Sequence, residues 1–281
     1  MLTARLITLL LVVTLSATMG LADDAPSEAS IPPDAEHAGK ALADSPRHGE
    51  WVDIAIPGSE TKLHTWVVYP ERSDKAPVVL VIHEIFGLTD WARAVADQLA
   101  AEGYIAVAPD LVSGMGPDGG GTESLGEGVR DTIRKLSTEE TGRRLSAARE
   151  YALKLPAAAE RTFAIGFCWG GSASFNYAAQ QNKLDGAIVY YGTAPTDADA
   201  LEKIKCPVIG FYGGDDARVT STVEETKSQM KEAGKSFEAH VCDGAGHGFL
   251  RQQSGRDGAN SKAAEQAWRD TLKFLKEHAG E

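Results

Sequence analysis

The sequence has little of three features that would each mark a class of protein. Only 3 cysteines occur in 281 residues, which is too few and too uneven for a disulfide-stapled scaffold. Positive charge is scarce, since 28 Lys and Arg stand against 40 Asp and Glu, and the formal net charge is −12. A chain this acidic is not expected to bind nucleic acid or an anionic membrane surface. It also lacks a dinucleotide fingerprint and any metal-ligand spacing, so no cofactor and no metal are expected.

Long hydrophobic runs are missing too, except at residues 6–15, which follow Arg5 near the start of the chain. This run is too short to span a bilayer comfortably, and Gly20 and Ala22 follow it as the small residues that a signal peptidase reads. The pattern predicts a signal peptide over residues 1–22. We therefore expect export to the periplasm or the medium, without stable membrane insertion after cleavage. An uncleaved membrane anchor is the alternative interpretation.

Composition separates a linker from a domain in the rest of the chain. Residues 23–48 are rich in Asp, Glu, Ala, Ser and Pro, which predicts a poorly ordered linker. Residues 49–281 are predicted to form one domain. A chain of this length with 43% hydrophobic and 24% charged residues can bury a full core.

Apolar runs of strand length alternate with amphipathic stretches along this domain. Residues 51–56 and 64–69 alternate in polarity around a Pro-Gly pair, which predicts an antiparallel hairpin at a sheet edge. Residues 78–82 are continuously apolar, as in a strand buried on both faces. Further strand-like runs begin at Tyr104, Phe163, Ala187, Val208 and Phe237, and helical spacing covers residues 91–102, 142–155, 223–234 and 263–277. The alternation predicts an α/β fold with a mostly parallel central sheet and helices on both faces.

A glycine-rich stretch, residues 113–121, interrupts this pattern. Two interpretations stay open. It is either a floppy surface loop or, together with the residues up to 140, a mobile rim over a site, since ligands bind outside the carboxyl ends of parallel strands.

The chemistry-bearing motif is Gly-Phe-Cys-Trp-Gly-Gly at residues 166–171, directly after an apolar run. Gly-x-Cys-x-Gly in this place is the nucleophile-elbow pattern, with sulfur where most such enzymes carry a serine oxygen. An elbow strains its central residue and needs small neighbours, here Gly166 and Gly170. A helix starting near Trp169 would direct its positive end at Cys168 and favour the thiolate. The alternative is a buried structural cysteine between glycines that only let strand and helix pack.

A nucleophilic thiol needs a base and a carboxylate later in the chain, and both follow in that architecture's usual order. His247 stands between glycines after the last strand-like run and is the candidate general base. Asp216, in a Gly-Gly-Asp-Asp turn after the preceding run, is the candidate that orients it. Sequence alone does not cleanly distinguish Asp216 from the adjacent Asp215. We favour Asp216 for the catalytic role and Asp215 as a loop-capping residue.

His83-Glu84-Ile85 ends the buried strand that starts at residue 78. The backbone N–H groups of Ile85 and Trp169 are the predicted oxyanion donors. Glu84 is unusual at a strand tip, and we expect it to hydrogen-bond the resting thiol and keep it neutral until substrate arrives. A solvated loop carboxylate is the alternative. No role is assigned to the other histidines, with His83 a partial exception because of its neighbour.

These motifs together resemble the dienelactone hydrolase family of α/β-hydrolases over about residues 50–278. The resemblance rests on Glu84-Ile85-Phe86-Gly87, Pro109-Asp110-Leu111, Gly166-Phe167-Cys168-Trp169-Gly170-Gly171, Tyr190-Tyr191-Gly192, Gly213-Gly214-Asp215-Asp216 and Gly246-His247-Gly248-Phe249-Leu250-Arg251. It implies the α/β-hydrolase fold, with Cys168 as nucleophile and Asp216 and His247 as its partners. It also implies that Glu84 helps to switch the thiol on and that Arg251 contacts a substrate carboxylate.

The sequence departs from the family pattern at one substrate position. A second arginine is expected shortly after Pro-Asp-Leu, where Ser113 and Gly114 stand instead. Losing a charged hydrogen bond costs about 1.5–3 kcal/mol, so a small dicarboxylate-like lactone should bind about tenfold to hundredfold less tightly. Arg130 and Arg134 are the candidates to reach in from elsewhere.

We therefore expect an exported, monomeric hydrolase that cleaves a small-molecule ester or lactone through an acyl-cysteine intermediate. Arg251 suggests that the substrate is anionic. One rival is a general carboxylesterase or thioesterase acting on neutral esters. A second is a catalytically idle homologue that uses the same pocket for capture. A redox role for Cys168 is weaker, because no Cys-x-x-Cys partner is present.

Overall fold

The computed structural model describes residues 30–280 of the chain. The predicted signal peptide and the first part of the predicted linker lie outside the described residues. Within them, none of the helices has the length and apolar character needed to cross a bilayer.

One eight-stranded sheet forms the centre of the described chain. Its strands are Gly49–Ala55 (β1), Lys62–Val68 (β2), Ala76–Ile82 (β3), Ile105–Pro109 (β4), Ala158–Phe167 (β5), Gly186–Tyr190 (β6), Val208–Gly213 (β7) and Phe237–Cys242 (β8). They lie in the order β1-β2-β4-β3-β5-β6-β7-β8. The β1–β2 and β2–β4 pairs are antiparallel, whereas every pair from β4 to β8 is parallel. The predicted mostly parallel sheet with an antiparallel hairpin at its edge is confirmed.

Helices connect the strands and cover both faces of the sheet. They are Ala38–Ala43 (α1), Asp90–Ala101 (α2), Thr122–Leu125 (α3), Val129–Lys135 (α4), Thr138–Ala152 (α5), Trp169–Gln180 (α6), Ala198–Lys203 (α7), Ala217–Thr220 (α8), Val223–Glu232 (α9) and Ala259–Ala279 (α10). Short 3-10 turns lie at Pro117–Gly119, Gly126–Gly128 and Arg256–Gly258. Each of the four predicted helical stretches overlaps one of these helices.

The alternation of side chains along β3 explains why that strand is buried from end to end. Val79 and Val81 face a core that includes residues of α2 and α10. Val78 and Leu80 face the opposite core, which includes residues of α5 and α6. Because successive side chains of a strand point to opposite faces, a strand covered on both sides must be apolar throughout.

The parallel strands end at nearly the same level, and this places the candidate site. Ile82 at the end of β3 pairs with Gly166 of β5, and Gly213 at the end of β7 pairs with Cys242 of β8. The loops that follow these four strands carry Glu84, Cys168, Asp216 and His247 in turn. Residues far apart in the sequence therefore meet at one edge of the sheet.

The predicted linker is ordered in its second half. Helix α1 packs on α2, and Ala38 is fully buried. The Ala35 N–H donates to the Arg251 carbonyl at 3.0 Å, and Gln253 Nε2 donates to the Pro32 carbonyl at 2.8 Å. The structure thus differs from a disordered linker over residues 31–48. A few apolar side chains, including Ile31, pack on the core despite the polar average composition.

The glycine-rich stretch leads into short helices instead of a long irregular loop. The Asp110 carboxylate accepts the Thr122 N–H at 2.7 Å, the Thr122 hydroxyl at 2.8 Å and the Val112 N–H at 3.2 Å. These bonds close residues 113–121 into a compact turn before α3 and α4. The proposed closing motion of this rim stays a prediction.

Candidate active site

The turn between β5 and α6 has the strained geometry of a nucleophile elbow. Cys168 adopts φ +57° and ψ −117°, a backbone conformation that side chains disfavour. A Cβ atom on Gly166 would lie 1.9 Å from the Gly170 carbonyl oxygen, and one on Gly170 would lie 2.3 Å from that of His83. Glycine is therefore required at both positions, as the motif predicts. The turn lifts the Cys168 sulfur above the end of the sheet.

The structure brings Cys168, His247 and Asp216 into one hydrogen-bonded line. His247 Nε2 lies 3.1 Å from Cys168 Sγ, and His247 Nδ1 lies 2.5 Å from Asp216 Oδ2. Asp216 is 8% exposed, whereas Asp215 points outward and pairs with Arg256 at 3.0 Å. The geometry therefore distinguishes the two adjacent aspartates, and Asp216 is the one that contacts the imidazole.

One tautomer of His247 fits both contacts. When Nδ1–H donates to the Asp216 carboxylate, Nε2 is left to accept the thiol proton of Cys168. In this tautomer His247 is placed to act as a base toward the sulfur.

Burial raises the pKa of the Cys168 thiol above its ordinary value, and the charge of Glu84 raises it further. The backbone N–H of Trp169, the charge of Arg218 and the backbone N–H of Ile85 act in the opposite direction and lower this pKa. The neutral thiol is the favoured resting form. The expectation that the end of α6 favours the thiolate is outweighed, because burial penalises the charged sulfur more than the helix end stabilises it.

The two predicted oxyanion donors lie beside the sulfur, one in a loop and the other at a helix end. The backbone N–H groups of Ile85, in the loop after β3, and of Trp169, the first residue of α6, both lower the pKa of the Cys168 thiol. A carbonyl attacked by this sulfur would place its oxygen between two fixed donors.

Glu84 is a buried carboxyl that faces Arg251. Its side chain is 4% exposed, and Arg251 Nε lies 2.7 Å from Glu84 Oε2. Neither atom completes a hydrogen bond, so the contact is an ion pair with poor alignment. Burial raises the Glu84 pKa to about 7, although the Arg251 charge opposes the rise. The expected hydrogen bond between Glu84 and the Cys168 thiol is not formed, because the guanidinium charge attracts the carboxylate and His247 contacts the thiol.

Arginines gather around the Phe86 ring beside Glu84. The guanidinium of Arg251 lies 4.9 Å from the ring centroid and that of Arg130 lies 4.6 Å from it. Arg134, the other candidate for a second arginine, is instead paired with Asp131 at 2.8 Å. Arg130 therefore brings a second positive charge close to the position of Arg251.

Tyr191 completes the apolar wall of the site, a role that the sequence reasoning missed. Its ring packs against His247 with centroids 5.1 Å apart and against Phe249 at 5.3 Å. It adopts φ +42°, and its buried hydroxyl has no hydrogen-bond partner. The available signal was the Tyr-Tyr-Gly motif after β6, but nothing in it reveals that the ring turns toward the histidine. Arg218, which lies on α8 directly after Asp216, was missed as well.

Metal-binding groups give no competing site in the part of the chain that the structure describes. Within residues 30–280, no group of three or more His, Cys, Asp and Glu side chains is arranged to hold a metal ion. A thiol, an imidazole and a carboxylate in mutual contact at the sheet edge form an arrangement that acyl transfer through sulfur would use.

Comparison with known proteins shows the family to which the chain is similar. The model of the dienelactone hydrolase family matches residues 63–279. A Salmonella typhimurium protein provisionally named carboxymethylenebutenolidase is 29% identical over 237 residues, covering 80% of this chain and 87% of the relative. A Saccharolobus solfataricus protein with the same provisional name is 28% identical over 261 residues, covering 80% and 97%.

Solved structures agree with this grouping. The crystal structure of a provisionally named dienelactone hydrolase from Klebsiella pneumoniae has 26% identity and a TM-score of 0.70, covering 81% of this chain and 98% of that one. A dienelactone hydrolase-like promiscuous phosphotriesterase from metagenomic libraries has 23% identity and a TM-score of 0.69, covering 82% and 98%. The second likeness is one of fold alone.

The raised pKa of Glu84 makes a prediction about stability. The folded value of about 7 lies above the ordinary 4.5, so the native protein binds an extra proton between these values. Stability should therefore fall as pH rises through this window. Glu84→Gln removes the titration, and we expect it to be more stable than wild type at pH 8, by roughly 1–3 kcal/mol, with the difference vanishing toward pH 5.

Urea unfolding at pH 5, 6, 7 and 8 measures this difference. Glu265→Gln, on the exposed face of α10, is the matched control and should show no such trend. A Glu84→Gln difference that stays constant over this pH range would contradict the prediction.

Proposed function

The chain belongs to the dienelactone hydrolase family, and from this premise we propose that it cleaves a carboxylic ester or lactone through an acyl-cysteine intermediate. The observation that carries the proposal is the contact line from Asp216 through His247 to Cys168, with distances of 2.5 and 3.1 Å. A base within reach of a thiol, itself oriented by a buried carboxylate, is the arrangement that nucleophilic catalysis requires.

Acylation begins with transfer of the thiol proton from Cys168 to His247 Nε2. The sulfur attacks the carbonyl carbon, and the oxygen takes the negative charge between the N–H groups of Ile85 and Trp169. The tetrahedral intermediate collapses as the carbon–oxygen bond breaks and His247 returns the proton to the leaving oxygen. The products of this step are a thioester on Cys168 and an alcohol, which stays attached when the substrate is a lactone.

Deacylation uses the same groups in reverse. A water gives a proton to His247 and attacks the thioester carbon, and the sulfur leaves with the proton that the imidazole returns. Asp216 holds the Nδ1 proton throughout and stabilises the imidazolium that forms twice in the cycle. The balance is one water consumed and one carboxylic acid released for each ester bond broken.

Glu84 gives this proposal a link between substrate binding and thiol activation. A substrate carboxylate bound by Arg251 competes with Glu84 for the guanidinium. Glu84 then loses its counter-charge and binds a proton from water more strongly, and the neutral carboxyl no longer raises the pKa of Cys168, which favours transfer of the thiol proton to His247. The pKa of about 7 for Glu84 places its proton uptake in the neutral range even before that competition.

The arginines beside Phe86 support an anionic substrate. The whole chain is strongly acidic, yet two positively charged guanidinium groups lie within 5 Å of the centre of the Phe86 ring. Arg130 is exposed and its guanidinium is held only by the aromatic face, which leaves its donors available to an anion. An ester or lactone that bears a carboxylate fits this position.

A neutral ester or thioester is the alternative substrate. The observation that favours it is the existing Glu84–Arg251 ion pair, since a neutral substrate would not have to displace it. Comparison of matched neutral and anionic esters therefore separates the two substrate classes.

Export is proposed from the N-terminal pattern of residues 1–22. A hydrolase of small esters that acts alone needs no partner there, and we propose that it is a monomer. N-terminal sequencing of the mature protein after cell fractionation tests the export proposal. A cytoplasmic chain that still carries its first 22 residues would contradict it.

Replacement of the nucleophile tests the chemistry. Cys168→Ala should lower kcat for activated aryl esters by on the order of 10³-fold or more, because the residual donors cannot replace the attacking sulfur. Cys242→Ala, at the other half-buried free cysteine, is the matched control and should keep wild-type turnover. Mass spectrometry of wild type quenched during turnover should find the acyl group on the Cys168 peptide. Undiminished turnover in Cys168→Ala, or an acyl group on another residue, would end the proposal.

Replacement of the second arginine tests the substrate class. Arg130→Met should raise KM for a carboxylate-bearing aryl ester by about fivefold to thirtyfold, the cost of one exposed charged contact, and change KM for the neutral analogue little. Arg134→Met, one turn further along α4 and paired with Asp131, is the control. An equal effect of Arg130→Met on both esters would favour the neutral-ester alternative.

A further inference from the structure

His83 is a fully buried histidine that takes no part in the proposed proton transfers. It directly follows β3 and precedes Glu84 and Ile85. A buried imidazole must satisfy both of its nitrogens, and here each has one backbone partner. The Leu111 N–H lies 3.2 Å from His83 Nε2, and the Glu84 carbonyl oxygen lies 2.8 Å from His83 Nδ1.

These two partners fix the tautomer without ambiguity. The Leu111 N–H can only donate, so Nε2 is the unprotonated nitrogen. The Glu84 carbonyl can only accept, so Nδ1 carries the proton. Burial lowers the pKa of His83, although the nearby charge of Asp110 and backbone contacts oppose this, and the ring stays neutral in the same tautomer.

The Glu84 carbonyl accepts from His83 Nδ1 at 2.8 Å and from the Gly87 N–H at 3.1 Å, and the shorter bond, from His83, helps to set the direction of an oxyanion donor. The Glu84 C=O and the Ile85 N–H belong to one planar trans peptide unit, in which they point in opposite directions. Holding the oxygen therefore aims the N–H. A hydrogen bond accepted by the carbonyl also polarises the peptide and makes its N–H a stronger donor.

The same imidazole contacts the residue that supplies the other donor. The His83 and Trp169 rings stack with centroids 5.7 Å apart and an angle of 19° between their planes. The start of α6 lies close behind them, since a Cβ on Gly170 would lie 2.3 Å from the His83 carbonyl. One side chain thus touches both halves of the proposed oxyanion hole and links them to Leu111, two residues after the end of β4.

We propose that His83 is a positioning residue of the oxyanion hole: its Nδ1–H holds the Glu84–Ile85 peptide so that the Ile85 N–H faces the sulfur, while its ring supports Trp169. This inference rests on the proposed acyl transfer at Cys168. The competing explanation is a histidine that only stabilises the fold. The two differ in the steps that they affect, because only a positioning role acts selectively on steps that form an oxyanion.

Two reagents separate these steps at the same sulfur. A trifluoromethyl ketone adds reversibly to the Cys168 sulfur, forming a carbon–sulfur bond and a tetrahedral oxyanion. Iodoacetamide alkylates the same sulfur by displacing iodide and forms no oxyanion. His83→Phe keeps a buried ring against Trp169 but removes both hydrogen bonds.

For His83→Phe we expect kcat on an activated ester and the affinity for the ketone to fall about tenfold to hundredfold, less than the effect of deleting a donor outright. KM should change by less than about threefold. The rate of Cys168 alkylation should fall much less than kcat, because the base is untouched and the Ile85 N–H is only the weakest of the groups that lower the thiol pKa. His278→Phe removes a similar Nδ1 bond, to the Phe274 carbonyl at 2.8 Å, far from the site and should change none of these values.

His83→Asn is the second variant, and it decides the outcome if His83→Phe does not fold. Asparagine places an amide N–H near the position of Nδ1 but cannot accept from Leu111. It should lower stability in urea, and because it keeps the bond to the Glu84 carbonyl but loses the ring beside Trp169, its kcat and ketone affinity should lie clearly above those of His83→Phe and below those of wild type.

Three results would overturn the inference. They are wild-type ketone affinity in His83→Phe, an alkylation rate that falls in parallel with kcat, or a kcat of His83→Asn as low as that of His83→Phe. Failure of the wild-type protein to turn over esters or to form the ketone adduct at Cys168 would instead overturn the proposed function itself.

Discussion

The partial burial of the Cys168 sulfur is the constraint to which the rest of the site responds. A sulfur held at the end of a sheet, between β5 and α6, loses solvation, so the thiolate is disfavoured at rest. The groups that can reverse this preference are directional. His247 Nε2 lies 3.1 Å from the sulfur, and the N–H groups of Ile85 and Trp169 approach it from the loop after β3 and from the start of α6. A resting thiol is also less easily oxidised than a thiolate, which suits a protein proposed to work outside the cytoplasm.

Cys168 and Glu84 are two acids in the same poorly solvated space, and ionisation of one raises the free energy of ionising the other. The charge of Glu84 raises the pKa of Cys168, so a proton leaving the sulfur makes protonation of Glu84 more favourable. Arg251 determines how far this exchange goes, since it is the counter-charge of Glu84 in the absence of substrate. An anion that binds Arg251 would therefore change the pKa of the Cys168 thiol through Glu84, without contacting the sulfur. In the proposed mechanism the Glu84–Arg251 ion pair couples substrate binding to thiol activation, and its poor hydrogen-bond alignment makes it easier to break.

The backbone of the site could be predicted from sequence, because local rules dictate it. Gly166 and Gly170 predict the elbow, since no larger residue fits where β5 meets α6. The order of strands and loops then brings His247 to the same edge. What could not be predicted depends on side chains that meet across the fold. The contact of Arg251 with Glu84, and the ordered packing around Ala38 where composition indicates a linker, come from tertiary contacts that leave no periodic signal.

Chemistry and specificity are carried by different layers of the structure. The sulfur, its base and both oxyanion donors lie at strand ends or on the first residue of α6, which the sheet and two cores hold rigidly. Arg130 lies on α4, in a segment of short helices held by the Asp110–Thr122 bonds and by the packing of Val129 and Ile133 on Val112. The family pattern places its second arginine shortly after Pro-Asp-Leu. In this chain the guanidinium of Arg130 instead lies over the Phe86 ring, which Arg251 also contacts. Substitutions in α3 and α4 can alter the residues that contact substrate while the sheet edge stays unchanged. Substrate preference can then change without a change in how the sulfur is activated.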